Sequence, residues 1–198
     1  MVNIRNSTIN VSGLAFLLVD PNPHSSTIIH GILRGFGATR IIEVRTGMDA
    51  IQALNDQKID MMMVEPSLEN GKGLAFIRSM RQDANNPFRT IPILVVTGDT
   101  RPSVIKAARD CGANMVIAKP MSPASLYERL TWVAFNPRAF IETKTYFGPD
   151  RRFKIEGFPG GKGRRAGDND TVIAAEEGPA MSQNDIDDLL QVARVGGS

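Results

Sequence analysis

The chain has 198 residues, 42% of them hydrophobic, and a formal net charge of +2, which suits one packed domain with extra segments and excludes a uniformly polyanion-binding protein. Its single cysteine, Cys111, excludes an intramolecular disulfide and fits a reducing compartment. The longest early apolar run, residues 14–19, is far too short to span a bilayer and lacks the flanks of a signal peptide, so the chain reads as cytoplasmic with no membrane insertion.

The average charge hides an asymmetry. Residues 1–136 carry 14 basic and 11 acidic groups, residues 137–167 eight and three, and residues 168–198 one and seven. A basic block followed by an acidic one marks interaction segments after a near-neutral domain. The expected division is therefore a domain over 1–136, an arginine-rich flexible ligand-binding segment over 137–170, and an acidic tail over 171–198.

In chain order, LAFLLV (14–19), TRIIEV (39–44), DMMMVE (60–65), IPILVV (91–96) and NMVIAK (114–119) are short runs apolar on both faces. The methionines Met61–Met63 belong to the core of the third strand. Between the runs lie helix-length stretches at Ser25–Phe36, Met48–Gln57, Leu74–Arg81, Pro102–Asp110 and Pro123–Ala134, with glycine and proline supplying the stops. Five such strands alternating with five helices predict an α/β fold, a five-stranded parallel doubly wound sheet covered on both faces. Trp132 falls late in the fifth helix, where packing explains it. Ligand chemistry in such a sheet sits beyond the carboxyl ends of the strands.

Those ends read VDPN (19–22), VEPS (64–67), VTGD (96–99) and AKP (118–120). With carboxylates, a hydroxyl and Lys-Pro in register, residues 13–135 resemble the receiver domains of two-component signalling, the CheY-like response regulators. The resemblance implies a flavodoxin-like fold and places Asp20 and Pro21 at the family's metal-binding acidic pair. It places Glu65 at the phosphoryl-accepting aspartate, Thr97 at the hydroxyl and Lys119 at the lysine. Pro21 removes one carboxylate from a cage for Mg²⁺, which demands tight octahedral geometry. Glu65 is one methylene too long, and phosphoryl transfer depends on positioning. The expectation is a degenerate phosphorylation pocket in which Glu65 pairs with Lys119, with no metal and no catalysis. Val116 occupies the position where the family often carries an aromatic switch residue. His24 and His30 lack clustered partners and point to no metal site.

Residues 144–168 combine Arg151-Arg152 and Arg164-Arg165 with Lys144, Lys154 and Lys162, the aromatics Tyr146, Phe147, Phe153 and Phe158, six glycines and two prolines. Such a backbone opposes a packed core. An arginine fork binds phosphate bidentately, stacks on a base and pairs with the O6/N7 edge of guanine, while a carboxylate complements guanine's N–H edge. Asp150 precedes the first pair, and Arg165 to Asp168 has the R-x-x-D spacing, similar to the cyclic di-GMP inhibitory-site motif of diguanylate cyclases. Together with the degenerate receiver, residues 13–168 resemble the Cle family, CheY-like cyclic di-GMP effectors that act at the flagellar motor. The resemblance implies cyclic di-GMP as ligand, bound by Arg151, Arg152, Arg164, Arg165 and Asp168, with Asp150, Tyr146 and Phe147 as further contacts. Single-stranded nucleic acid could use the same residue types, but the adjoining −6 segment opposes it and DNA is not expected. A phosphorylated response regulator with a partner-recruiting tail is the alternative.

Finally, Ser182 and Asp185 form a capping-box pattern before Ile186, Leu189, Leu190 and Ala193, predicting an amphipathic helix over 182–193. Such a helix docks either on its own receiver or in a partner groove. The string resembles the N-terminal peptide of the flagellar motor switch protein FliM. The resemblance implies a FliM-like partner and an intramolecular mimic of it.

Overall fold

The computed structural model describes residues 9–151 and 180–190. Strands β1 (Ala15–Val19), β2 (Arg40–Val44), β3 (Met61–Val64), β4 (Ile93–Thr97) and β5 (Met115–Ala118) form one parallel sheet in the order β2-β1-β3-β4-β5. β1, β3 and β4 are buried at every position, which is why their sequences are apolar without alternation. The expected five-stranded doubly wound sheet is thus the fold of the protein. Strand order reverses between β1 and β3, so the carboxyl ends of these neighbours border a crevice.

Helix α1 (Pro23–Gly35) starts earlier than its apolar periodicity indicates, because the Asn22 side chain accepts the amides of His24 and Ser25 and Pro23 is preset for the first turn. Thr46 caps α2 (Gly47–Asp56). The irregular turn α3 (Leu68–Gly71), with Glu69, Asn70 and Gly71 at positive φ, carries no apolar periodicity that would announce it. Its Glu69 carboxylate accepts the Gly47 amide at 2.9 Å, tying it to the start of α2. α4 (Gly73–Gln82) then begins hard against the end of β3, where a Cβ on Gly73 would lie 2.4 Å from the Glu65 carbonyl oxygen. Helices α5 (Pro102–Asp110) and α6 (Pro123–Phe135) each open on proline, and Ser122 caps the latter. Trp132 is buried in the core, as are Met61, Met62 and Met63.

After α6 the chain departs from the expectation of a flexible segment beginning at 137. β6 (Phe140–Glu142) and β7 (Phe147–Pro149) pair antiparallel in a hairpin packed against α4. The cause is a pair of arginines on the parallel-sheet domain. Arg81, fully buried, donates to the carbonyls of Gly112 (3.0 Å) and Arg89 (2.6 Å) and to Asn114 Oδ1 (3.1 Å), while its guanidinium lies 5.1 Å from the Phe140 ring centroid. Arg89 stacks 3.5 Å over Phe147. Desolvation lowers the Arg81 pKa to about 10. These aromatic contacts supply the burial that the local glycine and proline content does not advertise.

The last described element, α7 (Gln183–Leu190), lies along the β5 edge of the sheet, close to α6. Ser182 Oγ accepts the Asp185 amide (3.3 Å) and Asp185 Oδ2 accepts the Ser182 amide (3.0 Å), which is the reciprocal cap read from the sequence. Residues 191–193 of the expected helix lie outside the described residues. Among the described residues, no helix is long and apolar enough to cross a membrane.

Candidate functional site

The crevice between β1 and β3 brings Asp20, Glu65 and Lys119 together. Lys119 Nζ donates to Asp20 Oδ2 at 2.9 Å and to Glu65 Oε2 at 2.5 Å. Both carboxylates are buried, and Lys119 is 21% exposed. Asp20 Oδ1 also accepts the Asn22 amide at 2.8 Å, and the Asp20 carbonyl accepts Arg45 Nη1 at 2.8 Å. Burial pushes the Asp20 carboxyl up, but the bonds from Lys119, Ser25 and the Asn22 amide outweigh it and hold its pKa below the ordinary value. Thr97, also buried, stands at the end of β4 but turns its hydroxyl to its own loop, accepting the Asp99 amide at 3.0 Å. Pro21 supplies no side-chain donor or acceptor.

These residues do not fit a resident Mg²⁺. Of the acidic pair after β1 only Asp20 remains, its Oδ2 is held by an ammonium, and Glu65 faces the same ammonium. Among the described residues no group of three His, Cys, Asp or Glu side chains could hold a metal. A magnesium site needs several free oxygens in octahedral array. What the arrangement does instead is close the crevice with one cation shared by two anions.

A second locus is the edge of the sheet. Gln183, the first residue of α7, accepts the Ala118 amide through Oε1 (2.6 Å) and donates Nε2 to the Val116 carbonyl (3.1 Å), standing in for a sixth strand at β5. Ile186 is fully buried, and Asp187 is buried against Arg129 of α6 at 2.5 Å. The Met181 amide donates to the Thr100 carbonyl just before α5. The α5–β5–α6 face is thus covered by the chain's own helix. The cap and Ile186 are legible in the sequence. Gln183, Asp187 and Arg129 are not, and their one signal is that Gln183 and Asp187 stand four residues apart beside Ile186.

The third locus holds the described part of the arginine-rich segment. Arg151 lies 3.6 Å over the Tyr146 ring and donates Nη1 to Asp110 Oδ1 at 2.7 Å. Tyr146 donates its hydroxyl to the Pro149 carbonyl (2.8 Å), and the Asp150 amide donates to the Ala139 carbonyl (2.8 Å). Phe147 packs between Arg89 and Phe140, a structural position at the base of the hairpin. Arg152, Arg164, Arg165 and Asp168 lie outside the described residues. Asp110, the partner of Arg151, carries no sequence signal beyond its place at a helix end.

Proteins of similar sequence include the chemotaxis protein CheY of Pseudomonas aeruginosa, 26% identical over 117 residues that make up 59% of this chain and 93% of that one. CheY-3 of Vibrio cholerae is 25% identical over 117 residues, 59% of this chain and 88% of that one. Among solved structures, the receiver domain of a sensor histidine kinase from Pseudomonas aeruginosa, with magnesium coordinated in its active site cleft, is similar with a TM-score of 0.52 and 28% identity over 60% of this chain and 94% of that one. A two-component response regulator from Clostridium difficile shares the fold at a TM-score of 0.55 and 21% identity, over 62% and 97% of the two chains. The model of the response regulator receiver domain matches residues 16–131, more than half of the chain, and the chain belongs to that family.

Proposed function

We propose that this protein is a non-catalytic signalling effector that binds cyclic di-GMP through its arginine-rich segment and docks through its receiver at the flagellar motor switch. The observation that carries the reading is the Lys119 ammonium committed to both Asp20 and Glu65. With Asp20 Oδ2 and Glu65 Oε2 both held by the one ammonium, the crevice is poorly arranged to accept a phosphoryl group, and in this reading the input enters elsewhere. The paired arginines are the part of the chain with the chemistry to receive it: Arg151, Arg152, Arg164 and Arg165 against phosphates and guanine edges, Asp168 and Asp150 against guanine N–H groups, Tyr146 for stacking. The output face is α5–β5–α6. A FliM-like helix with the S-Q-x-x-I-D pattern competes there with α7, which carries the same pattern at 182–187 and blocks the face until displaced. In this reading the protein belongs with the Cle effectors.

Calorimetry of the full chain with cyclic di-GMP tests the proposal. Micromolar or tighter binding, lost in the Arg164→Ala/Arg165→Ala variant, is expected, and absence of binding by the unaltered chain rejects it. A second reading, control by phosphorylation with a partner-recruiting tail, draws support from Asp20, Thr97 and Lys119 standing in family register. Incubation with acetyl phosphate and Mg²⁺ separates the two, since a phosphoryl adduct seen by intact mass favours the second.

A further inference from the structure

The expected ligand segment is long and rich in glycine, and ordering it on a ligand carries an entropic cost that grows with each residue fixed. The first of its paired arginines is already seated. Arg151 is stacked on Tyr146 and fastened to Asp110 at the C-terminal end of α5. Asp110 also accepts Arg109 Nε at 3.2 Å, and the Tyr146 hydroxyl is fixed to the hairpin backbone. A guanidinium set over one aromatic ring can take a second planar group on its other side.

Arg151, Tyr146 and Asp110 line a cleft of about 720 Å³ between α4, the end of α5 and the β6–β7 hairpin. Arg78 and Gln82, one turn apart on α4, also line it. Gln82 is bound to the Thr145 carbonyl at 3.1 Å. Arg78 is exposed and makes no hydrogen bond or ion pair among the described residues. Among the described residues the cleft therefore offers one guanidinium set over a ring, one guanidinium without a partner and a single carboxylate that is already paired. Its size falls within the range of small-molecule sites, and its charge and planar stack select an anion with an aromatic ring.

We infer that this cleft is a nucleotide subsite on the receiver itself, taking one guanine stacked on Arg151 and the adjoining phosphodiester on Arg78. The inference rests on the cyclic di-GMP reading above and adds Arg78 as a ligand-binding residue and Asp110 as the residue that positions Arg151. Seating Arg151 in advance reduces the ordering that ligand binding requires.

The test titrates cyclic di-GMP into the full chain, comparing the unaltered protein with Arg78→Ala and with Arg164→Ala/Arg165→Ala. Amide spectra follow Thr143, Thr145 and Tyr146. Because Arg78 is exposed, its removal leaves the fold intact. The expected result is a roughly tenfold or greater loss of affinity in Arg78→Ala, as for one charge-assisted phosphate contact, with ligand-induced shifts at all three amides in the unaltered chain. Unchanged affinity in Arg78→Ala with silent amides, while the double variant loses binding, overturns the subsite and leaves the effector reading standing. If the unaltered chain does not bind cyclic di-GMP, the effector reading fails. GMP and inorganic phosphate are then titrated in turn. Shifts at the three amides with GMP but not phosphate support a nucleotide site, and silence with GMP, or equal shifts with both, overturns it.

Discussion

Arg129 and Asp187, 58 residues apart in the chain, form a buried ion pair that fastens α7 to α6. Their side chains are 8% and 2% exposed, and Gln183 Nε2 donates to the second Asp187 oxygen at 2.9 Å. The pair and the Gln183 contacts to β5 act as one unit, joining a side-chain ladder at the sheet edge to a charge lock beside it.

Asp187→Ala leaves the Arg129 guanidinium buried without this carboxylate, a loss of about 3–5 kcal/mol for a buried pair. With that loss concentrated at its contact with α6, α7 should leave its face while the receiver stays folded. Hydrogen exchange checks this: the Ala118 amide, which Gln183 accepts, should exchange much faster, with the thermal midpoint of the receiver little changed. Unaltered Ala118 protection would count against the lock.

Lys119→Met removes the cation between Asp20 and Glu65 and should destabilise the protein by roughly 2–3 kcal/mol at pH 7, less than a fully buried pair because Lys119 retains some exposure. A pH slope absent from the unaltered protein between pH 7 and about 5 should also appear. In the unaltered protein the depressed Asp20 pKa contributes stability that is complete above the unfolded carboxylate pKa and is lost as pH falls through the lower folded value. In the variant, two buried carboxylates face each other without a cation, so lowering the pH from 7 toward about 5 should stabilise it as one takes a proton. Urea melts of both proteins across this range check the sign.

Gly112 has φ +95°, and a Cβ there would lie 2.9 Å from the Phe147 carbonyl oxygen and 3.0 Å from Arg81 Cγ. Gly112→Ala should therefore loosen the hairpin from the receiver and cost more than about 1 kcal/mol. The expected outcome is a lower denaturation midpoint together with faster exchange of the Asp150 amide.

Cys111 is buried, and desolvation pushes its thiol up to about 11. At pH 8 the folded protein should react with a thiol-specific disulfide reagent only through unfolding, so the rate should be far below that of the unfolded chain and should rise with denaturant. Prompt stoichiometric labelling of the folded chain would contradict this burial.

The core strands were legible because each is a short run apolar on both faces, a pattern that buried parallel strands require. Asp20, Glu65, Thr97 and Lys119 were legible for a related reason, since residues that end such strands must gather at one edge of the sheet. The hairpin was not. Phe140 and Phe147 stand among glycines and prolines, and their burial depends on Arg81 and Arg89, more than fifty residues earlier. Arg81 did carry a faint signal, as a charged residue on the helix face of Ile77 and Met80.

By itself the sequence determined which segments become the five strands of the parallel sheet and the helices that cover it, the order in which they alternate, and which side chains end the strands. These follow from local periodicity, capping and the need to cover both faces of a parallel sheet. Tertiary structure alone decided that Lys119 bridges both acids, that Gln183 reads the β5 edge, and that Arg151 rests on Tyr146 beside Asp110. Each of these contacts joins groups distant in sequence, or sets a stacking distance, and such relations exist only once the elements have packed.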